Sequence, residues 1–253
     1  MPGTRGGFKL ERVSMEPSPR SVNEIVERRI QSWLAEKRRR SELEPRVEPT
    51  RPIVTVSRQA GARGTELGRL VAERMGFRLW DQELVQQVAG GHGSIEQMAR
   101  VVDEHNHNAI EELLSSILLG DAFTGEGYVW RLRALLVALA RKGSAVVVGR
   151  GAQFVVAHGA ALRIRVVAPL DARVQTLMTQ RKLGERAARA EMERLDRERL
   201  AFVKHQYHAD AADPAMYDLV VNSSSLTLER AADIVLLAYR TKFPPTEPAV
   251  RAT

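Results

Sequence analysis

A glycine-containing turn near residue 60 combines the residue types and the spacing expected of an anion site. Residues 53–57 (Ile-Val-Thr-Val-Ser) form a β-rich run, residues 58–64 contain two glycines, and a helix is predicted from Thr65 to Met75. In a strand–turn–helix unit, backbone N–H groups and the positive end of the helix dipole face the same point. The turn therefore predicts phosphate binding, although glycines needed only for the geometry of the turn explain the pattern about equally well.

The turn departs from the Walker A sequence, in which a lysine and then a serine or threonine follow the second glycine. Arg63, Gly64 and Thr65 stand at this point instead. We expect Arg63 to supply the missing cation. We expect the Thr65 hydroxyl group to face a magnesium ion carried by a bound nucleotide.

Two more candidates stand at the ends of the second and third predicted strands. Asp81 follows the second strand, where it is suited equally to cap the next helix or to accept a hydrogen bond from a substrate. Arg150 stands between Gly149 and Gly151, directly after an apolar strand. A charge is costly at such a place unless it meets an anion, so we favour a ligand-binding role for Arg150 over a surface salt bridge.

A run rich in arginine lies between Arg181 and Lys204, where eight Lys or Arg residues accompany five Asp or Glu residues. Each arginine taken alone is best explained as a solvated, salt-bridged side chain. Taken together, and with Gly184 as a hinge, these residues predict a lid that closes over phosphate groups and excludes water.

The elements that must position these candidates alternate along the chain. Short β-rich runs are predicted at 53–57, 77–80, 145–149, 162–167 and 218–221. Helices are predicted at about 65–75, 82–89, 94–119, 128–142, 171–182, 185–208 and 227–240. Alternating strands and helices indicate an α/β fold with a five-stranded parallel sheet covered on both faces. In such a sheet, ligands bind beyond the carboxyl ends of the strands, where all of these candidates stand.

Composition narrows the class of protein. The 253 residues include no cysteine and are 44% hydrophobic, which excludes a disulfide scaffold, a thiolate zinc site and wholesale disorder. The longest apolar run, residues 134–140, is far shorter than the roughly 20 residues that a membrane-spanning helix needs. We therefore expect a soluble, cytoplasmic protein without a membrane partner.

The first 50 residues differ in composition from the rest and are predicted to form a basic extension. Ser21 to Arg40 has the pattern of one amphipathic helix, with a Ser N-cap, Glu24 three residues later and an apolar face. This extension is either solvated or docks on the domain, a partner or RNA. The net charge of +7 is spread diffusely, so we do not expect nucleic acid as the main partner, although the extension leaves it open.

The order of these features resembles the cytidylate kinase-like branch of the P-loop nucleoside monophosphate kinases. The resemblance rests on residues 54–59, 61–68, 80–81, 148–151, 167–173 and 217–224. It covers about residues 52–240 and implies a three-layer P-loop kinase domain at 51–243, followed by a flexible tail at 244–253. It also implies a monophosphate-binding insertion at about 83–128 and a lid at about 181–200.

The resemblance also implies roles for individual residues. The ATP site would comprise Ser57, Arg58, Gly61, Ala62, Arg63, Gly64, Thr65 and Glu66. The monophosphate site would comprise Asp81, Gly149, Arg150 and Gly151. The lid would contribute Arg181, Arg186, Asp196, Arg197 and Arg199. The catalytic cations would be Arg63, Arg150, Arg181 and Arg186.

The resulting expectation is a magnesium-dependent enzyme that transfers the γ-phosphoryl group of ATP to CMP or dCMP. Cytidylate kinase itself has a Gly-Lys-Gly-Thr turn, whereas this chain has Ala62-Arg63-Gly64-Thr65. The alternative is therefore a catalytically weak nucleotide-binding module with a regulatory or partner-binding role. The sequence does not indicate an oligomeric state.

Overall fold

The computed structural model describes residues 51–90, 94–103, 107–118 and 128–244, together with two isolated helical positions, Arg28 and Ser32. Apart from those two positions, the predicted amphipathic helix at 21–40 lies outside the described residues. So does the predicted tail after residue 244.

The described part of the chain contains five strands, nine α-helices and two short 3₁₀-helices at His158–Ala160 and Pro214–Met216. The strands are β1 (Ile53–Arg58), β2 (Arg78–Trp80), β3 (Ala145–Val148), β4 (Ala161–Val167) and β5 (Leu219–Asn222). The helices are α1 (Gly64–Met75), α2 (Gln82–Gly90), α3 (Ile95–Val102), α4 (His107–Leu118), α5 (Tyr128–Lys142), α6 (Ala152–Val155), α7 (Leu170–Arg181), α8 (Glu185–Tyr207) and α9 (Leu228–Lys242).

All five strands are parallel and lie in the order β2-β3-β1-β4-β5, which confirms the predicted sheet. Helices α1 and α9 pack on one face, where Val54, Val56 and Leu67 are buried in a shared core. Helices α2 to α6 contribute to the core on the other face, which contains Ile53 and Val147. Burial on both faces explains why most strands are apolar without alternation.

One predicted helix is two helices in the structure. The periodicity of residues 94–119 predicts a single helix, but α3 ends at Val102 and α4 begins at His107. Asp103 leaves the helical conformation, with φ of −147°, and its carboxylate lies 3.3 Å from Lys142 Nζ on α5. This long-range ion pair accompanies the break and is invisible to local periodicity.

The fourth strand carries two arginines into the interior. Leu162, Ile164 and Val166 face the core beneath α1 and α9, whereas Arg163 and Arg165 alternate with them and are also buried. Arg163 donates to the Asp218 carboxylate, which also receives its backbone N–H at 2.7 Å and the Lys242 ammonium group at 2.6 Å. An ion cluster thus stabilises the amino end of β4.

The topology creates a crevice at the carboxyl ends of β1 and β3. These strands are neighbours, but β1 continues into α1 on one face while β3 continues into α6 on the other. Chain connections that leave a sheet in opposite directions open a space between them, and this is where α/β sheets bind ligands. In the described parts of the chain, no helix is long and apolar enough to cross a membrane.

The ion cluster of Asp218 gives a test of the fold. Burial by itself raises the pKa of the Asp218 carboxyl group, but hydrogen bonds from Lys242 and Arg163 outweigh burial and lower it below its ordinary value. We expect Asp218→Asn to lower the free energy of unfolding by about 1–2 kcal/mol at pH 7, because hydrogen bonds to a charged carboxylate are lost while solvent partly screens its charge.

The effect of Asp218→Asn should depend on pH. Because folding lowers the pKa, the stabilisation is present above the unfolded-state pKa of about 3.9 and is lost as pH falls through the folded-state pKa. Urea unfolding of both proteins between pH 7 and pH 3 should show a difference that shrinks in acid. A difference that stays constant over this range would contradict the ionic explanation.

Candidate functional site

The glycines of the turn after β1 are required by close packing. Gly61 has φ of 76°, and a Cβ atom there would overlap the carbonyl oxygen of Arg173. Gly64 begins α1, and a Cβ atom there would overlap the side chain of Arg58. The geometric explanation for both glycines is therefore correct, and it coexists with the anion-binding arrangement that follows.

The amino end of α1 points its free backbone donors into a cavity of about 310 Å³. Arg63 is the N-cap residue, with φ of 56°, and its side chain makes no capping hydrogen bond. The N–H groups of the first helical turn consequently have no intrahelical acceptor. Thr65 also lines this cavity, which we call the loop cavity. Helix dipole and free N–H groups make it suited to phosphate.

Arg63 is a less prominent cation than the sequence predicts. Its guanidinium group lies 2.7 Å from the Glu66 carboxylate, and its side chain is 44% exposed. Glu66 also accepts a hydrogen bond of 2.5 Å from Gln180 on α7. Although Arg63 lines the loop cavity, its charge is already compensated and screened by water.

Arg58, the last residue of β1, lies in the crevice close to the charged groups of Arg199, Arg150 and Asp81. Its Nη2 donates to Gln82 Oε1 at 2.9 Å, and a Cβ atom on Gly149 would overlap its Nη1. Burial, with the neighbouring guanidinium groups of Arg199 and Arg150, lowers the pKa of Arg58 to about 9, while Asp81 opposes this change. A phosphate group beside these three cations would relieve the repulsion and favour their charged forms.

Arg150 lies at the middle of a strained turn. Gly149, Arg150 and Gly151 have φ of 84°, 58° and 68°, so three successive residues are left-handed. This conformation costs a non-glycine residue about 1–2 kcal/mol, which the surroundings must offset. Tyr207 at the end of α8 donates its hydroxyl proton to the Arg150 carbonyl oxygen at 2.9 Å, and burial raises the pKa of this hydroxyl group.

The turn directs Arg150 into a second cavity, of about 390 Å³, which we call the crevice cavity. The side chain also lies with its guanidinium carbon 5.9 Å from the ring centre of Tyr128. Ser57, Arg58, Gln59, Gln82, Gly149, Arg150, Gly151, Gln153, Arg165, Asp196, Glu198 and Arg199 are among the lining residues. The loop cavity and the crevice cavity share Arg58, Gln59, Leu195 and Arg199.

Asp81 has the structural role that the sequence left open. Its Oδ1 accepts the backbone N–H of Leu84 at 2.9 Å and thereby caps α2. It is not among the residues that line the two described cavities. It influences the site through its charge, which raises the pKa of Arg58.

The residues predicted for the lid separate into two groups. Asp196 and Arg199 on α8 line the crevice cavity, and Arg181 at the end of α7 lines the loop cavity while paired with Glu191. Arg186 is exposed and lines neither cavity, and Arg197 is exposed beside a separate open groove. The structure therefore brings together three of the five predicted lid residues.

Asp196 ties α8 to the glycine turn. Its Oδ1 accepts the backbone N–H of Ala60 at 2.7 Å, and its Oδ2 lies 2.5 Å from Arg173 Nη1. Arg199, one helical turn later, donates to the Arg58 carbonyl oxygen at 3.3 Å, and burial lowers its pKa.

Sequence reasoning missed several residues of the crevice. Gln153 and Arg165 both donate to the Tyr217 hydroxyl group across more than 50 positions of sequence. Gln82 accepts from Arg58 across 24 positions, and no local pattern shows any of these contacts. The alternating arginines of the fourth strand were a usable indication, since an arginine inside a buried strand needs an acceptor.

A parallel sheet with a glycine turn at a helix amino end, facing an arginine-lined crevice, defines a protein of the P-loop kinase-like class. Residues 53–225 match the sequence model of the cytidylate kinase-like family, and this range is more than half of the chain. The chain belongs to the cytidylate kinase-like family.

The individual proteins that resemble this chain support its fold and do not identify its substrate. An uncharacterised protein from Eubacterium ventriosum superposes with a TM-score of 0.58 at 16% identity, covering 75% of this chain and 99% of that one. Shikimate kinase from Acinetobacter baumannii in complex with shikimate superposes less well, with a TM-score of 0.43 at 12% identity, covering 76% of this chain and 95% of that one. A uronate isomerase from Corynebacterium glutamicum is 35% identical over 83 residues, 33% of this chain but only 16% of that enzyme.

The contrast between Arg58 and Arg63 gives a second test. We expect Arg58→Met to weaken ATP binding roughly 10- to 100-fold, because a half-buried cation that lines both cavities is lost. Arg63→Met should weaken it by less than about fivefold, because that charge is exposed and paired. Isothermal titration of both variants checks the order, and a larger loss in Arg63→Met would contradict it.

Proposed function

We propose that the protein transfers the γ-phosphoryl group of ATP to the phosphate of a nucleoside monophosphate, with CMP and dCMP as the first acceptors to test. Membership of the cytidylate kinase-like family supports a phosphotransferase. The observation that carries the proposal is that the loop cavity at the amino end of α1 and the arginine-lined crevice cavity meet at Arg58 and Arg199.

In this proposal the donor binds at the loop cavity. The N–H groups at the amino end of α1 hold its phosphates, and Arg181 faces them from the end of α7. Described residues include no group of three or more acidic or histidine side chains that could bind a metal. Magnesium bound mainly through phosphates needs only one or two protein oxygens, and Thr65 can supply one, so the residues fit a nucleotide-borne ion.

The acceptor binds in the crevice cavity beside Arg150 and Arg58. One of its phosphate oxygens attacks the γ-phosphorus, the bond to the β,γ-bridging oxygen breaks, and ADP leaves with that oxygen. Arg58 and Arg199 lie where the two cavities meet and are suited to neutralise the charge of the transferring group.

The state of the carboxylates favours a phosphate acceptor over an alcohol. An alcohol needs a general base, whereas a phosphate oxygen is already ionised. Asp196 is engaged by Arg173 and Ala60, and Glu198 lies 2.6 Å from Arg194. Asp196, the less exposed of the two carboxylates that line the crevice cavity, is thus held by the fold, and Glu198 is paired on the exposed side of α8.

A nucleotide-binding module without efficient transfer is the second candidate. The observation that favours it is the ion pair of Arg63, the residue that replaces the Walker lysine, with Glu66. Incubation with ATP, magnesium and a panel of nucleoside monophosphates separates the two, because only an enzyme forms ADP and a diphosphate. Thermal stabilisation by ATP without product would instead support the module.

Arg150→Ala tests the acceptor site. We expect turnover with the best acceptor to fall at least about 100-fold, because a cation held at the reacting phosphate is removed. Arg240→Ala, a matched change on the exposed side of α9, should leave turnover unchanged. Equal steady-state kinetics for Arg150→Ala and the wild-type protein, with both folded by circular dichroism, would rule out this role.

A further inference from the structure

Two buried arginines on the same side of β4 have different partners. Arg163 is 4% exposed and is paired with the Asp218 carboxylate. Arg165 is 8% exposed, and its Nη1 donates to Ser57 Oγ at 3.1 Å and to the Tyr217 hydroxyl oxygen at 3.3 Å. Over the ranges that the structure describes, no carboxylate lies within ion-pair distance of Arg165. Its charge is therefore buried among neutral partners.

The neutral partners of Arg165 are themselves fixed in place. The Tyr217 hydroxyl group lies 2.8 Å from the Ala211 carbonyl oxygen and 3.1 Å from Ser57 Oγ, and it accepts a hydrogen bond from Gln153 at 3.3 Å. Tyr217 and Gln153 are both more than nine-tenths buried. A network of this kind holds the guanidinium group in one orientation without neutralising it.

Arg165 lines the crevice cavity from β4, which pairs with one edge of β1. Arg150 lines the same cavity from the turn after β3, which pairs with the other edge of β1, and the Arg58 side chain reaches toward that turn at Gly149. A buried guanidinium group with only neutral partners is costly, and an anion that enters the cavity removes that cost. In each described hydrogen bond of Arg165 the donor is Nη1. The other N–H groups of the guanidinium group can therefore donate in a bidentate arrangement to an oxyanion.

We propose that Arg165 binds a second anionic group of the acceptor, remote from the phosphate that is held by Arg58 and Arg150. The acceptor is then a monophosphate that carries a further oxyanion, either a carboxylate or a second phosphate. This inference rests on the proposed acceptor cavity, and it narrows the substrate class from nucleoside monophosphates in general. CMP fills only the part of the cavity that recognises the first phosphate.

Two matched pairs of ligands test the inference by isothermal titration of the full chain, without any transfer step. Orotidine 5′-monophosphate differs from UMP by one carboxylate, and cytidine 3′,5′-bisphosphate differs from CMP by one phosphate. We expect the doubly anionic member of at least one pair to bind roughly 10- to 100-fold more tightly. The pair that shows the preference identifies the oxyanion.

Variants assign the preference to Arg165. Arg165→Met should abolish it while changing the affinity for CMP and UMP by less than about threefold, because the first phosphate site is intact. Arg165→Lys should retain part of it, since the charge remains but the fork is lost. Arg163→Met, the matched change on the same face, should retain all of it and lower the melting temperature, because Asp218 loses one of its two cationic partners and keeps only Lys242.

The melting temperature of Arg165→Met should equal or exceed that of the wild-type protein, since a buried charge without a carboxylate partner is removed. Equal affinities within both ligand pairs, a preference that survives in Arg165→Met, or no binding of any of the four nucleotides would each overturn the inference. Failure of phosphoryl transfer alone would count against the proposed function and leave the binding result standing. Phosphoryl transfer to CMP without tighter binding of either doubly anionic nucleotide would support the proposed function and overturn the inference about Arg165.

Discussion

The carboxylate of Asp196 is the interaction on which the geometry of both cavities depends. It joins helix α8 to the backbone of the glycine turn at Ala60 and also holds Arg173. The methyl group of Ala60 packs with Val174, Leu177, Ala188 and Met192, so a small apolar cluster supports the same junction. Because the turn and α8 form opposite walls of the cavities, their separation is fixed at this point.

Charge is distributed over the site by elements that are remote in sequence. Arg58 ends β1, Arg150 follows β3, Arg165 lies within β4 and Arg199 belongs to α8. No single element could place four guanidinium groups around one cavity, because neighbouring positions on a helix or strand face different directions. The fold collects the cations, while the shortest ion pairs of Asp196 and Glu198 are with Arg173 and Arg194, which lie outside this group.

The sequence predicted the sheet well because the signal for a doubly covered strand is local. Each of the five strands lies within one or two residues of its predicted range, and Arg150 was identified from its two flanking glycines. The break at Asp103 was missed because it accompanies a contact with Lys142, 39 positions away. Burial and charge repulsion distinguish Arg58 from Arg63, and neither property can be read from adjacent residues.

The sequence also did not predict which groups the polar side chains would contact. Asp81 had two plausible roles, and only the position of the Leu84 amide shows that it caps α2. Arg165 alternates with apolar residues in the fourth strand, a pattern visible in the sequence, but its neutral partners come from β1 and from the segment before β5. The pattern of a sequence indicates that a buried cation needs an acceptor. Only the tertiary structure shows that, among the described residues, no carboxylate serves as that acceptor for Arg165.

The length of helix α8 connects the two cavities mechanically. Its 23 residues form a rod about 34 Å long at 1.5 Å per residue, with Asp196 and Arg199 near its middle and Tyr207 at its end. If this rod tilts about Gly184, the hydroxyl group that supports the Arg150 turn is displaced as well. A ligand in the loop cavity and a ligand in the crevice cavity would then be coupled through α8, and linkage would require that each alters the other's affinity by the same factor.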